Sequence, residues 1–344
     1  MAYISFKPSD FFTPNVQYTG NDLARTITGT GFQPDVTIIK ARDDSVVWNI
    51  FDSARGASKR LQYSYIAQSD TSGVTGWNAD GFTIGTNGDA NSNGQVLQTW
   101  NWKMGTTSGI TPVGITPTAY SINTSCKQGV YAYTGTGSAT TLAHGLGQKP
   151  SMIMVKSTGT VEQSWAWWSN YTHIDSANDY IGQTNTTAAV IQNGAFNDTY
   201  PTDTVFSLGT TNYTNTSAQG YVAYVQCDVP GYFKTGYFMG NANLDGPFCY
   251  TGFKPAYVGI KRRDGTSPWL IFDSKRNGYN TNNYFFFTTS SAAQNNNVPI
   301  NLLSNGFKLV TTDGDANTNG ANYFWWAIAE NPLVGSDGTP GVAT

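Results

Sequence analysis

Gly252-Phe253-Lys254-Pro255-Ala256-Tyr257-Val258-Gly259-Ile260-Lys261 is a glycine-led turn closed by proline, then an apolar run that ends in lysine. The same arrangement stands at Gly31-Phe32-Gln33-Pro34, followed by Val36, Ile38, Ile39 and Lys40. It stands a third time at Gly147-Gln148-Lys149-Pro150, followed by Met152 to Val155 and Lys156. In each case the lysine lies six residues after the proline. Upstream lie Tyr18-Thr19-Gly20, Tyr133-Thr134-Gly135 and Phe238-Met239-Gly240, with glycine-to-proline distances of 14, 15 and 15 residues. Self-similarity of this kind marks an array of like units. The runs are short, β-branched or aromatic, and bounded by Gly, Asn and Asp, which predicts strands. The continuous apolar runs before Lys40 and Lys261 predict inner strands with both faces covered.

The first and third units agree in further detail. Trp48 and Trp269 each lie 14 residues after the proline. They lead into Ile50-Phe51-Asp52-Ser53-Ala54-Arg55-Gly56 and Ile271-Phe272-Asp273-Ser274-Lys275-Arg276-Asn277-Gly278. Asp80-Gly81 and Asn305-Gly306 are hairpin turn signals. Aromatic strands close both units, with Trp100 and Trp102 in one and Tyr323 to Trp326 in the other. The second unit is divergent and carries Trp165, Trp167 and Trp168 instead of the Trp–Asp–Arg block.

The chain therefore reads as all-β, with three tandem β-sandwich modules of jelly-roll or lectin-like type, at residues 16–105, 130–235 and 236–330. Residues 1–15 form an N-terminal arm that could dock on a neighbour, 106–129 a Thr/Gly/Pro-rich linker, and 331–344 an extended tail. Composition agrees. Of 344 residues only 12% are charged while 14% are aromatic, which disfavours helix surfaces. Net charge is −3 with no basic run, so nucleic acid is not an expected partner. No 18-residue apolar stretch exists, so no membrane span is expected. The opening Met1-Ala2-Tyr3-Ile4-Ser5-Phe6 lacks the pattern of a secretory signal. Cys126, Cys227 and Cys249 are too widely spaced for a metal motif and read as reduced, buried thiols.

The motifs Tyr-Thr-Gly-Asn, Gly-Phe-x-Pro-Asp and Asp-Ser-x-Arg-Gly resemble a repeated β module of marine tailed-bacteriophage virion surface proteins. The opening Met1 to Phe12 and the ending Phe324-Trp325-Trp326-Ala327-Ile328-Ala329-Glu330-Asn331-Pro332 are similar to those proteins as well. The resemblance covers most of the chain and is weakest in the second module. It implies a virion surface component, a short tail fibre, spike or capsid decoration, assembled in the host cytoplasm. It implies other virion proteins as partners, a homo-oligomer with a trimer among the options, and host attachment or particle stability as the role. It carries no catalytic residues.

Asp52 with Arg55, and Asp273 with Arg276, recur at one offset beside Trp48 and Trp269. The plain reading is a turn held by a charge-assisted hydrogen bond. The functional one is a polar grip on a host surface glycan, with tryptophan as the stacking face. Asp89, Asn91 and Asn93, and Asp315, Asn317 and Asn319, match the first half of a Ca²⁺ loop, the one cofactor the sequence raises. The twelfth position is Trp100 or Trp326, where a bidentate Glu belongs, and a solvated hairpin loop is the plain reading. Trp165 and Trp167 share one strand face, Ala166 and Trp168 the other, which leaves room for an outward Trp. Two glutamates in different modules, Glu162 and Glu330, do not suggest a glycosidase pair. His144 and His173 have no Gly-x-Ser-x-Gly elbow near them. The expectation is a non-enzymatic protein. Its rivals are a soluble carbohydrate-binding lectin-like protein and a polysaccharide depolymerase.

Overall fold

The computed structural model describes residues 4–64, 68–160, 163–173, 180–277 and 280–332. Among them every regular element is a strand, apart from a 3-10 turn at Pro8–Asp10 and single helical turns at Gly88–Asn91 and Gly314–Asn317. The chain is nearly all-β, and its strands form several antiparallel sheets.

Three sheets have five strands each and the same internal order. In the first, the closing strand Val96–Trp102 lies between the apolar strand Val36–Ala41 and a leading edge, with Asn49–Asp52 beyond the apolar strand. The leading edge is split into Phe12–Thr13 and Gln17–Thr19. Pro14 lies in the break, on a sheet edge, where a residue without an N–H is tolerated. The second sheet runs Ala119–Asn123, Gln128–Thr134, Gly220–Gln226, Met152–Ser157, Ala166–Ser169. The third runs Phe233–Met239, Asn322–Pro332, Phe253–Arg262, Leu270–Asp273, Phe285–Phe287. The register repeats too. Trp100 stands opposite Ile38, Tyr224 opposite Met154 and Trp326 opposite Gly259, each of these partners four residues after the motif proline.

Smaller antiparallel sheets pack on the large ones. They are Arg25–Thr28 with Gly81–Ile84 and Val74–Asn78, Thr140–Ala143 with Val205–Leu208, and Phe248–Tyr250 with Gly306–Leu309 and Ile300–Leu303. The Asp80-Gly81 and Asn305-Gly306 turns connect hairpins as expected.

The closing strands explain why the apolar runs are continuous. Side chains alternate across a strand. Leu97 faces the first small sheet, while Trp100 and Trp102 face away from it. Tyr221, Ala223 and Val225 face the second small sheet, while Val222 and Tyr224 face away. Tyr323, Trp325 and Ala327 face the third, while Phe324, Trp326 and Ile328 face away. All the outward sets meet in one common core, which also takes Trp48, Trp165, Trp167 and Trp269. Burying each large side chain contributes about 1.5–3 kcal/mol. Each large sheet is therefore covered twice, by its own small sheet and by the other two large sheets.

Several boundaries differ from the sequence reading. The stretch 106–129 is no free linker: Ala119–Asn123 is the edge strand of the second sheet, and Ile115 bridges Leu142. The Thr- and Ser-rich composition around Ala119–Asn123 hid a short strand that is half-buried to buried throughout. The arm docks within its own chain. Phe12–Thr13 joins the first sheet, the Phe12 ring meets Tyr257 at 5.9 Å, and Phe6 meets Tyr232 at 5.5 Å. Strand Asn322–Pro332 runs on past residue 330, and 333–344 lie outside the described residues. Trp165, Trp167 and Trp168 are all buried, the first two in the common core and the third over the second small sheet, so none of them points outward. All three cysteines are buried free thiols, and burial pushes Cys227 up to about 12.

Candidate functional site

The strand that follows the recurrent tryptophan, Trp48, Trp165 or Trp269, ends in each large sheet at a seam with a neighbouring sheet. In the first sheet the last residue is Asp52. Its carboxylate accepts from the Arg55 Nε at 2.6 Å and from the Tyr224 hydroxyl of the second sheet at 2.6 Å. The Arg55 backbone N–H adds a third bond at 2.9 Å, and its guanidinium also donates to the Lys59 and Ile50 carbonyls. In the third sheet Asp273 accepts from the Arg276 Nε at 2.6 Å and from the Trp100 indole of the first sheet at 3.3 Å. The Arg276 guanidinium lies 4.3 Å from the centre of the Phe286 ring, an orientation that favours a cation. In the second sheet the register places Ser169 where Asp52 and Asp273 stand, with Thr172 in place of the arginine. There the Thr172 hydroxyl donates to the Ser169 carbonyl at 2.9 Å, and Trp167 meets Trp326 of the third sheet at 4.4 Å. Each sheet thus contacts the next around a closed ring of three.

A second ring runs in parallel. The Trp48 indole donates to the Phe287 carbonyl at 3.0 Å, Trp165 to Gln62 at 2.8 Å, and Trp269 to Gln183 at 3.0 Å. Each donor and acceptor belong to different repeats. The third ring is made by the motif lysines, all fully buried. Lys156 donates to the Ser64 carbonyl at 3.0 Å, and Lys261 to Thr187 at 3.1 Å and Ser267 at 2.7 Å. Lys40 donates to the Ala41 carbonyl at 3.0 Å and lies 5.1 Å from the Phe286 ring centre. A buried ammonium is costly unless its hydrogens find oxygens. Burial pushes Lys40 down to about 8 and Lys261 down to about 7.

All six residues of the expected glycan grip therefore lie inside the seams. Trp48, Asp52, Trp269, Asp273 and Arg276 are buried, and the Arg55 side chain is 4% exposed. Their polar atoms face protein. The structure brings Trp48 and Trp269 to the common core with Asp52–Arg55 and Asp273–Arg276 at its rim. It does not bring the two pairs to one place.

The Asp/Asn loops are stitches. Asn91 donates to the Leu23 and Gly85 carbonyls and accepts from the Asn21 N–H. Asn317 does the same with Asn243, Thr311 and Asn241, and Asn215 with Ser138, Gly209 and Thr136. The ligands a Ca²⁺ loop would use are split, with Asn91 and Asn317 turned inward and Asn93 and Asn319 exposed. The Asp89 carboxylate pairs with Arg60, and Asp315 accepts weakly from Ser267 at 3.5 Å. Both loops open with a helical turn instead of a plain hairpin. Among the described residues no three His, Cys, Asp or Glu side chains gather as a metal group. His144 is buried, its Nδ1 accepting from the Leu146 N–H and its Nε2 3.1 Å from the Thr202 carbonyl, and burial lowers its pKa. Glu330 lies between Lys254 and Lys275, and Glu162 lies outside the described residues.

Tyr224 and the lysines escaped the sequence reading as seam residues. A signal for the lysines was present: a charged residue at one fixed place in three continuous apolar strands must find oxygens. An open groove of about 610 Å³, part polar and part apolar, lies beside the first sheet, lined by Gln33, Asp35, Lys103, Thr118, Tyr120 and Ser121 among others.

These features define a nearly all-β chain whose three like sheets close around one aromatic core. Over residues 7–332 the chain matches the family described as Domain of unknown function (DUF7483), and it belongs to that family. No curated protein matches it. No helix among the described residues is long and apolar enough to cross a membrane.

Proposed function

We propose that the chain is a non-enzymatic structural protein of a bacteriophage virion surface, a short tail fibre, spike or capsid decoration, built as three β-sandwich modules closed around one axis. The observation that carries this reading is the shared core. Modules that bury Trp48, Trp165 and Trp269 together cannot act as independent beads; they form one block suited to bracing or presenting a surface. The sequence resemblance supports the virion setting. The use of Asp52 and Asp273 as buried partners of arginine supports a structural role for the Trp–Asp–Arg motif. Attachment to a host glycan or stabilisation of the particle would be its task, with other virion proteins as neighbours. Immunogold electron microscopy of particles from the encoding phage tests it. Label on heads or tails is expected, and unlabelled particles would overturn it.

The open groove beside Tyr120 favours a second reading, a carbohydrate-binding protein. Oligosaccharide binding by the isolated chain, lost in Tyr120→Ala, would support that reading; release of oligosaccharide would point to a depolymerase.

A further inference from the structure

The leading strands of the three large sheets occupy the same place but are covered differently. In the second sheet, Ala119–Asn123 pairs along the outer edge of Gln128–Thr134, and the Thr118 N–H donates to the Ala132 carbonyl at 2.8 Å. The same segment reaches the neighbouring small sheet, where Ile115 donates to the Thr141 carbonyl at 2.8 Å. In the third sheet the leading strand Phe233–Met239 ends the sheet, and Phe248–Tyr250 ends its small sheet; among the described residues no strand pairs outside either.

The side chains at these two edges changed along with the covering. By register, Gln17, Ala132 and Tyr237 are equivalent, and so are Thr19, Thr134 and Met239. The first sheet leaves its edge open but polar. The third leaves it open and apolar, with Tyr237 62% and Met239 60% exposed. Phe248 and Tyr250 flank Cys249 on the next strand and are also exposed, as is Leu244 in the turn between. Their counterparts in the first small sheet, around Ile27, are Thr26 and Thr28. The first half of the strand has its outward groups satisfied, since Phe233 exchanges bonds with Val229 and the Thr235 N–H donates to Asp228. Alternation then turns the Tyr237 and Met239 backbone groups outward.

We propose that this edge is a homodimer interface, in which the ends of the leading strands of two copies, residues 237–239, pair antiparallel about a two-fold axis through Phe238. The occupant of the equivalent edge in the second sheet is an uncharged, antiparallel strand. A second copy supplies one. A two-fold places Tyr237 of one copy opposite Met239 of the other, pairs the open large-sheet edges of the two copies with each other, and leaves no unpaired leading strand to propagate. The pairing sets Tyr237 and Met239 of both copies side by side on one face of the joined sheet, where each covers the other's apolar surface.

Sedimentation equilibrium of the whole chain, across a hundredfold range of concentration, tests the proposal. A mass of two chains is expected at the upper end. The double variant Tyr237→Gln with Met239→Thr, which installs the residue types of Gln17 and Thr19, should sediment as one chain and still unfold in a cooperative transition, at a lower temperature because the Tyr237 contact with Tyr171 goes too. Hydrogen exchange gives a second measure that needs no variant. The Tyr237 and Met239 amides should exchange at least tenfold more slowly in the dimer than after dilution. A monomer at every concentration, a folded double variant that still dimerises, or a dimer with these amides unprotected would each overturn the proposal.

Discussion

The Tyr224 hydroxyl and the Asp52 carboxylate lie 2.6 Å apart, although 172 residues separate them in the chain. Both are buried. The bond joins the closing strand of the second sheet to the tryptophan strand of the first. Its counterpart, from Trp100 to Asp273, joins the first sheet to the third. Burial and the adjacent Asp52 charge hold the Tyr224 phenol far above its ordinary range, so it stays a donor at any working pH. Phenylalanine at 224 keeps the ring and removes only the hydroxyl. Asp52 retains Arg55, so the loss should be that of one charge-assisted bond, about 1.5–3 kcal/mol. Asp52→Ala leaves the Arg55 guanidinium buried without its carboxylate and should cost about 3–5 kcal/mol. Urea denaturation of the two variants should give that order; equal losses would contradict it.

Because the common core takes side chains from all three large sheets, the chain should unfold as one unit. Trp269→Phe removes the N–H that reaches the Gln183 carbonyl and opens space beside Trp167. The exposed cost is an unsatisfied buried carbonyl plus part of a ring, about 2–4 kcal/mol in sum. Calorimetry should show the whole transition moving to lower temperature. A split into an early and an unshifted late transition would mean that the repeats unfold independently.

The buried lysines set a pH dependence with a definite sign. Lys261 falls from an ordinary 10.5 to about 7, chiefly by burial, with Arg262 pushing the same way and Asp315 and Asp264 opposing. Between those two values the unfolded chain holds a proton that the folded chain has released. Stability therefore rises with pH above about 7, by at most about 1.4 kcal/mol per pH unit for one lysine. Lys40, lowered to about 8, adds its share above that pH. The buried thiols work against the trend from pH 9 upward, because their folded values are raised, Cys227 to about 12. The clean window is thus pH 7 to 9. The denaturation midpoint should rise across it, and Lys261→Met should flatten the rise. A flat midpoint across the window would show that Lys261 keeps its proton in the folded chain.

The sheets were readable because each strand signal was local and repeated: a turn glycine, a proline, an apolar run. The doubly covered strands around Lys40 and Lys261 followed from the unbroken runs. What linked the repeats was not readable. Trp48 and Arg276 look the same in sequence whether they face a sugar or another sheet, and only the closure of three sheets around one axis turns them inward. The edge strand Ala119–Asn123 escaped because it is only five residues long and lies in a stretch of loop composition. Asn91 and Asn317 carry an oxygen that suits a cation, but they also carry two N–H groups, and the folded loops use both kinds.

The glycine of the Tyr-Thr-Gly motif has a cause that the repeats expose together. A Cβ at Gly20 would lie 2.0 Å from the Ser92 carbonyl oxygen, at Gly135 2.2 Å from that of Thr216, and at Gly240 2.2 Å from that of Thr318. In all three, the leading strand ends against the backbone of the loop that the buried asparagine stitches. Backbone oxygens cannot swing aside as a side chain can. Gly135→Ala must push that loop away, strain the Asn215 bonds to Ser138 and Gly209, and cost about 1–3 kcal/mol or more. Gly194 is the control, since no atom lies within 4 Å of its would-be Cβ. Alanine there should be neutral or stabilise by up to about 1 kcal/mol through the unfolded chain. Thermal melts of the two alanine variants should separate clearly. If Gly135→Ala melts with the parent protein, the recurrent glycine is not there to admit the loop.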